Sequence, residues 1–416
     1  MAKGISMKLI PALMLVAFSG AVSASGFQLM EQNASGIGNA YAGSAAVAEN
    51  ASTIFYNPAG MTQLQAHEFS VGVSAVDPDF SFSNRGSSVG AFNTAGDGGD
   101  AGGWAFIPNG YMSWALTKDL YVGLGLGAPF GMKTEYDNPW IGAAQATMFE
   151  IKTYNINPSI AYRVNDKVSL GFGLDWQHLD ATYKRQASVG AGAATPVKLT
   201  LDDGAGGWNV GALFTLSPST KVGVSYRSAI QYHTTGDIEA NGVKTNDAKA
   251  DIEVPDMAIM SVTQKLSDKW EMLGDVSWTG WSSIPKVDIM NASTGSATPT
   301  QTLETHFDNT WRVALGANYQ LNDAWKLKFG VAYDQTPVPN STYRMVSLPD
   351  NDRVWFSFGG QWTPDKASRL DFGVTYIYVK DSDINNDQTA NGRGLVAGEY
   401  NNSSIWLLGA QYSMSF

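Results

Sequence analysis

From residue 68 onward, apolar side chains recur at every second position. Trp311, Val313, Leu315, Ala317 and Tyr319 alternate with Arg312, Ala314, Gly316 and Asn318. The same alternation runs through Val168-Leu170-Phe172-Leu174-Trp176, Trp208-Val210-Ala212-Phe214-Leu216, Trp325-Leu327-Phe329-Val331-Tyr333 and Trp406-Leu408-Ala410-Tyr412-Met414-Phe416. Residues two apart share one face of a strand. The pattern therefore predicts strands with one apolar face, bracketed by aromatic residues, and one face of glycine, amide and charge. A soluble sandwich also alternates. Aromatic residues at the ends of the apolar face are what the interfacial girdles of a membrane barrel require.

About fourteen such strands can be counted, an even number as in outer-membrane barrels. They fall at 68–82, 104–117, 119–128, 150–164, 167–186, 206–216, 220–236, 251–266, 269–284, 306–321, 324–336, 352–363, 367–380 and 404–416. Short connections such as Val164-Asn165-Asp166 and Leu321-Asn322-Asp323 alternate with long polar ones such as 83–103, 129–149 and 381–403. Short turns at one end and long loops at the other predict an all-β, transmembrane antiparallel β-barrel over 68–416, with both mature termini periplasmic and the long loops extracellular. Phe416 closes an apolar strand face. By resemblance to other outer-membrane proteins, it is expected to serve as the signal read by the barrel-assembly machinery.

Residues 25–67 are rich in Ala, Gly, Ser and Asn and show no alternation. A barrel of more than about a dozen strands has a lumen to fill. The segment is accordingly expected to be an N-terminal hatch plugging the lumen, anchored by Ile54, Phe55 and Tyr56. Ahead of it, Lys3 and Lys8, an apolar run over 9–22 and small residues at Val22-Ser23-Ala24 read as a secretory signal peptide over 1–24.

Composition agrees. The 416 residues carry 44% hydrophobic, 12% aromatic and only 16% charged side chains, no cysteine, and a net charge of −11. These values argue against a disordered chain, a disulfide scaffold and a nucleic-acid binder. The histidines His67, His178, His233 and His306 lack metal-ligand spacing, and no nucleophile motif appears, so neither cofactor, metal nor enzyme activity is expected. Asp381-Ser382-Asp383-Ile384-Asn385-Asn386-Asp387 begins like a calcium loop but lacks its glycine and its bidentate glutamate. It reads as a solvated loop, with cation binding the alternative.

Several motifs then resemble one family. Ser25-Gly26-Phe27-Gln28-Leu29, Gly36-Ile37-Gly38-Asn39-Ala40-Tyr41-Ala42-Gly43 and Asn57-Pro58-Ala59-Gly60 resemble the mature start and hatch motifs of the long-chain fatty acid transporter (FadL) family. Ala128-Pro129-Phe130-Gly131, Asn155-Ile156-Asn157-Pro158-Ser159, Arg312-Val313-Ala314-Leu315-Gly316 and Pro337-Val338-Pro339 are similar to its strands and loops. The resemblance implies a fourteen-stranded barrel that takes up hydrophobic molecules, either long-chain fatty acids or neutral hydrocarbons. A general porin or adhesion barrel is the competing reading, which a 40-residue N-terminal plug disfavours. The expected surroundings are outer-membrane lipid and lipopolysaccharide, and the expected state is a monomer. Two departures stand out: Ala143-Ala144 replaces an Arg-Tyr pair, and Asp308 replaces a lysine.

A fatty acid needs an apolar path and a cation for its carboxylate. Alternation turns Arg227, Arg312, Lys326, Lys328 and Arg353 into the lumen, together with Asp175, Glu271, Asp275, Asp334 and Asp371. Arg312 and Lys328, on neighbouring strands, are the candidate carboxylate ligands. Mutual pairing that braces wall and plug is the alternative. The resemblance adds Arg185, near the outer end of strand five, and Phe27 as a pocket-lining residue. In the third strand, Gly123, Gly125 and Gly127 leave one face without side chains, and Pro129 cannot donate to a ladder. This strand, with Phe130, is the expected lateral opening. Asn57, Pro58 and Ala59 are the expected gate, with Asn57 bonding backbone left unpaired in strand three.

Overall fold

The computed structural model describes residues 26–188 and 194–416, so the signal peptide expected over 1–24 lies outside the described residues. Fourteen antiparallel strands follow one another around a closed wall. They are β1 (His67–Asp79), β2 (Ala105–Ala115), β3 (Leu120–Gly127 and Gly131–Glu135), β4 (Met148–Asn165), β5 (Val168–Ser188), β6 (Ala194–Ser217) and β7 (Thr220–Arg227 and Ile230–Ala240). The wall continues through β8 (Val243–Val254 and Met257–Lys265), β9 (Trp270–Thr279 and Lys286–Asn291), β10 (Gln301–Glu304 and Thr310–Gln320), β11 (Trp325–Asp334), β12 (Arg353–Trp362), β13 (Ser368–Val379) and β14 (Ser404–Ser415). The barrel closes where β14 pairs β1, from Glu68 opposite Ser415 to Asp79 opposite Ser404. Five strands are split in two. Proline stands in the break of β3 (Pro129), β8 (Pro255) and β9 (Pro285), where a ladder bond would need an N–H it lacks.

The outward positions form a belt of exposed apolar residues, among them Trp311, Val313, Leu315, Phe172, Trp176, Phe356 and Trp406. Their alternates Arg312, Asp275, Lys328, Asp334 and Asp371 are buried inside. No described helix is long and apolar enough to cross a membrane; the strands make the wall. At the long-loop end, Phe82–Asn84, Ser382–Gln388 and Gly394–Tyr400 form a separate three-stranded sheet. The acidic stretch 381–387 is therefore largely a strand, with Asp383 opposite Glu399 and Asp387 opposite Leu395, rather than a loop free to wrap an ion. No group of three potential metal ligands occurs among the described residues.

The N-terminal segment, residues 26–66, lies within the wall and touches all fourteen strands. Ser70 and Tyr111 reach it from β1 and β2, and Ile54 and Met61 fill the glycine face of β3. Arg163, Ser169, Ala212, Arg227, Ser261, Asp275, Arg312 and Lys328 contact it from β4 through β11. Gly359, Thr375 and Gln411 complete the circle from β12 to β14. The segment is built of tight turns: short 3-10 helices at Ile37–Asn39 and Pro58–Gln63, and one helical turn at Thr53–Tyr56. Small residues let this chain approach wall glycines closely. A Cβ on Gly38 would sit 2.8 Å from the Gly359 Cα, and one on Gly223 would overlap the Ala45 carbonyl.

Gly223→Val therefore tests whether the segment fills the lumen at β7. Overpacking of this kind costs about 1–3 kcal/mol. The temperature at which the folded gel band converts to the unfolded one should fall while the band itself persists. An unchanged conversion temperature would mean the segment does not press on that wall.

Candidate functional site

The wall is interrupted in β3. Its inner half pairs with β2 from Gly110 opposite Leu126 to Ala115 opposite Tyr121. Its outer half, Gly131–Glu135, has its ladder to β4. Between the halves, Ala128-Pro129-Phe130 leaves the sheet, and buried backbone there must find other partners. It does so largely on the N-terminal segment. The Gln32 side chain donates from Nε2 to the Ala128 carbonyl (2.7 Å) and accepts the Ala128 N–H at Oε1 (3.0 Å). The Leu29 N–H donates to the Pro129 carbonyl and the Gly131 N–H to the Phe27 carbonyl, both at 2.8 Å. Phe130 turns to β4, where its N–H donates to Thr153 Oγ1 (2.9 Å) and its carbonyl accepts from that hydroxyl (2.8 Å). Residues 27–32 thus stand in for the missing strand pairing, with Gln28 directly opposite Phe130.

The same residues border an apolar cavity. Phe27 lines it with Phe149, Ile151, Ala181, Tyr183, Leu199, Leu201, Ile252, Ile284, Phe307 and Met345. Phe27 also packs edge-on against Trp281 at 4.7 Å and lies 5.9 Å from Phe130, so an aromatic cluster couples the cavity to the break. Glu253, Thr305, Ser347 and the Tyr183 phenol are its polar lining, and among the described residues neither lysine nor arginine borders it. Its free space of about 80 Å³ is far below the roughly 300–1,000 Å³ of typical ligand sites, so a long ligand must displace part of the lining. The connection after β3 is packed internally and against the last long loop. Tyr136 stacks on Trp140 at 3.8 Å and bonds Tyr400 at 2.7 Å, and Ala143 and Ala144 are buried beneath.

The predicted residues divide between distinct places. Phe27, Pro129 and Phe130 meet at the break. Arg312 and Lys328 do not reach the cavity. Lys328 Nζ contacts Glu49 at 2.5 Å, and Asp371 and the Ser35 carbonyl at 2.9 Å. Arg312 donates to the Ala40 carbonyl at 2.6 Å and lies over the Trp355 ring. Both cations therefore tie the wall to the N-terminal segment, because a buried charge needs a partner in low dielectric. Arg185 borders a separate polar groove with Lys198 and Glu239. Asn57 departs from expectation: its Nδ2 donates to the Ala212 carbonyl of β6 (2.9 Å) and to Ala45 (2.7 Å), and its Oδ1 caps Ala59. Gln32 takes the role expected of Asn57 at β3. Gly123, Gly125 and Gly127 face the plug: a Cβ on Gly123 would lie 2.5 Å from Met61 Sδ. Sequence reasoning missed Gln32, Leu29, Thr153 and Trp281. Only Gln32, an amide amid small residues, carried a signal.

The family model described as outer membrane protein transport protein (OMPP1/FadL/TodX) matches residues 15–416. Outer membrane protein P1 of Haemophilus influenzae is 30% identical, with 91% of each chain covered. The long-chain fatty acid transport protein of Salmonella typhi is 26% identical, with 94% of each covered. Among solved structures, a Pseudomonas aeruginosa FadL homologue superposes with a TM-score of 0.87 at 22% identity, covering 94% of this chain and all (100%) of that one. The Ralstonia pickettii toluene transporter TbuX gives 0.68 at 16% identity, covering 93% and 100%.

The seal can be tested without any ligand. Gln32→Ala strands the Ala128 N–H and carbonyl, each at a cost of about 1–3 kcal/mol when buried. Amide exchange at Ala128 should accelerate by at least roughly tenfold, while amides in β12 and β13 stay protected. Unchanged protection at Ala128 would show that another group closes the break.

Proposed function

The chain belongs to the OMPP1/FadL/TodX outer membrane transport family, and on that premise we propose how it carries long-chain fatty acids, or similarly apolar molecules, inward across the outer membrane of a Gram-negative cell. The ligand enters from the long-loop end, which faces outward, and settles in the cavity around Phe27. A single observation carries this reading: Phe27 borders the apolar cavity while its own carbonyl holds Gly131 at the wall break. A ligand that displaces Phe27 therefore loosens the bonds of residues 27–32 to strand β3. An apolar molecule then gains by passing sideways into lipid rather than into water. The opening lies between β2 and β3, beside Gly127, Pro129 and Phe130. Asn57, Pro58 and Ala59 hold the far part of the hatch to β5 and β6, and Lys328 and Arg312 hold its middle. Movement is thereby confined to the first residues of the hatch. The termini are periplasmic in this reading.

A neutral hydrocarbon is the second reading, favoured by a cavity lining that holds neither lysine nor arginine among the described residues.

Cells expressing the protein as their sole route for oleate uptake test the cavity. Ala181→Trp fills part of the cavity beside Leu201 and should lower uptake by roughly tenfold, the equivalent of about 1.4 kcal/mol of lost occupancy. Surface expression and the folded gel band should be retained. Uptake at the wild-type rate would place the path elsewhere.

A further inference from the structure

We propose that Pro108 of β2 is the residue that keeps the wall from closing at the break: it withholds the backbone donor that Ala128 would otherwise use, and so leaves Ala128 to the Gln32 amide. This rests on the sideways passage between β2 and β3 and names what keeps that passage available. The register carries it. β2 and β3 pair from Ala115 opposite Tyr121 to Gly110 opposite Leu126. Continued by two residues, the same register sets Pro108 opposite Ala128. Beside the turn, the Leu116 N–H donates to the Leu120 carbonyl at 2.8 Å. Hydrogen-bonded pairs alternate along an antiparallel ladder, so in β2 they fall on Trp114, Met112 and Gly110, and the next falls on Pro108. A residue there would donate to the Ala128 carbonyl and accept the Ala128 N–H. Proline has no N–H to give.

The other edge of β2 tolerates the proline. The Ala115 N–H donates to the Ala66 carbonyl at 2.6 Å, which turns the intervening residues of β2 toward β1. Pro108 lies opposite Val73 of β1 without owing it a donor. Its missing N–H is felt on the β3 side alone. Gln32 fills both vacant roles, donating from Nε2 to the Ala128 carbonyl at 2.7 Å and accepting the Ala128 N–H at 3.0 Å. A primary amide carries the same donor and acceptor as a peptide group. β2 also holds that amide in place. Further along it, the Tyr111 hydroxyl donates to the Gln32 carbonyl at 2.7 Å. The Tyr111 ring lies against β3, where a Cβ on Gly125 would approach it to 3.1 Å. β2 therefore withholds a permanent bond and positions a removable one. With an ordinary residue at 108, the ladder would run on to Ala128 whatever the hatch does.

Pro108→Val restores the N–H at a position on the same strand face as the exposed Phe106 and Met112. Hydrogen exchange at Ala128 is followed in purified, detergent-folded protein. Gln32→Ala alone should speed it by at least roughly tenfold. Adding Pro108→Val should return it to within about threefold of the wild-type rate, because a strand bond replaces the lost one. Adding Met112→Val instead raises strand preference on the same face without supplying a donor, and should rescue nothing. Exchange as fast with Pro108→Val as without it overturns the assignment, as does equal rescue by Met112→Val or an unchanged rate in Gln32→Ala. In cells that depend on the protein for oleate, Pro108→Val alone should lower uptake by roughly fivefold, with surface expression and the folded gel band retained. If exchange is rescued while uptake is unchanged, Pro108 stands as the residue that stops the ladder and the sideways route falls.

Discussion

The chain interrupts its own wall at Ala128-Pro129-Phe130, and the structure depends on how that interruption is closed. Proline removes one donor and the departure from the ladder strands others. Closure comes from Phe27, Leu29 and Gln32, which lie far away in sequence. A barrel wall is ordinarily sealed by its neighbouring strands, whose pairing is distributed over many bonds. Here a few bonds, made by a segment that also borders the apolar cavity, seal the outer part of one strand. Seal and cavity share Phe27, so occupancy of one and integrity of the other are not independent.

The N-terminal segment as a whole touches every strand of the wall. Its contacts to all fourteen strands include buried ion pairs, and breaking such a pair by removing one partner typically costs about 3–5 kcal/mol. Lys328 with Glu49 and Asp371, and Arg227 with Asp175, tie the wall to the segment or brace it from behind. In the proposed mechanism the gate lies at the break, where the segment is held by uncharged hydrogen bonds rather than by ion pairs.

Much of this was legible in the sequence. The period-two pattern gave each strand its faces, and the short turns gave their number and order, because both signals are local. The glycine face of β3 and the small residues of the hatch were legible as close-approach surfaces. Partner choice was not. Alternation turns Arg312 and Lys328 into the lumen, but it does not say whether a ligand or Glu49 and Ala40 meet them there. Asn57 and Gln32 differ by one methylene and serve equivalent ends at different strands, β6 and β3. Only the path of the hatch through three dimensions decides which amide meets which break.

The coupling of hatch and wall can be tested by fastening them together. Gln28 and Phe130 oppose each other as an antiparallel pair flanked by the Leu29–Pro129 and Gly131–Phe27 bonds. That non-hydrogen-bonded arrangement brings Cα atoms to about 4.5 Å, within disulfide range. The chain has no cysteine of its own, so Gln28→Cys with Phe130→Cys offers a single bridge. Oleate uptake is measured with the pair oxidised and again after reduction. The account predicts that uptake stops in the oxidised protein and returns on reduction. Uptake that continues undiminished with the bridge closed would contradict it.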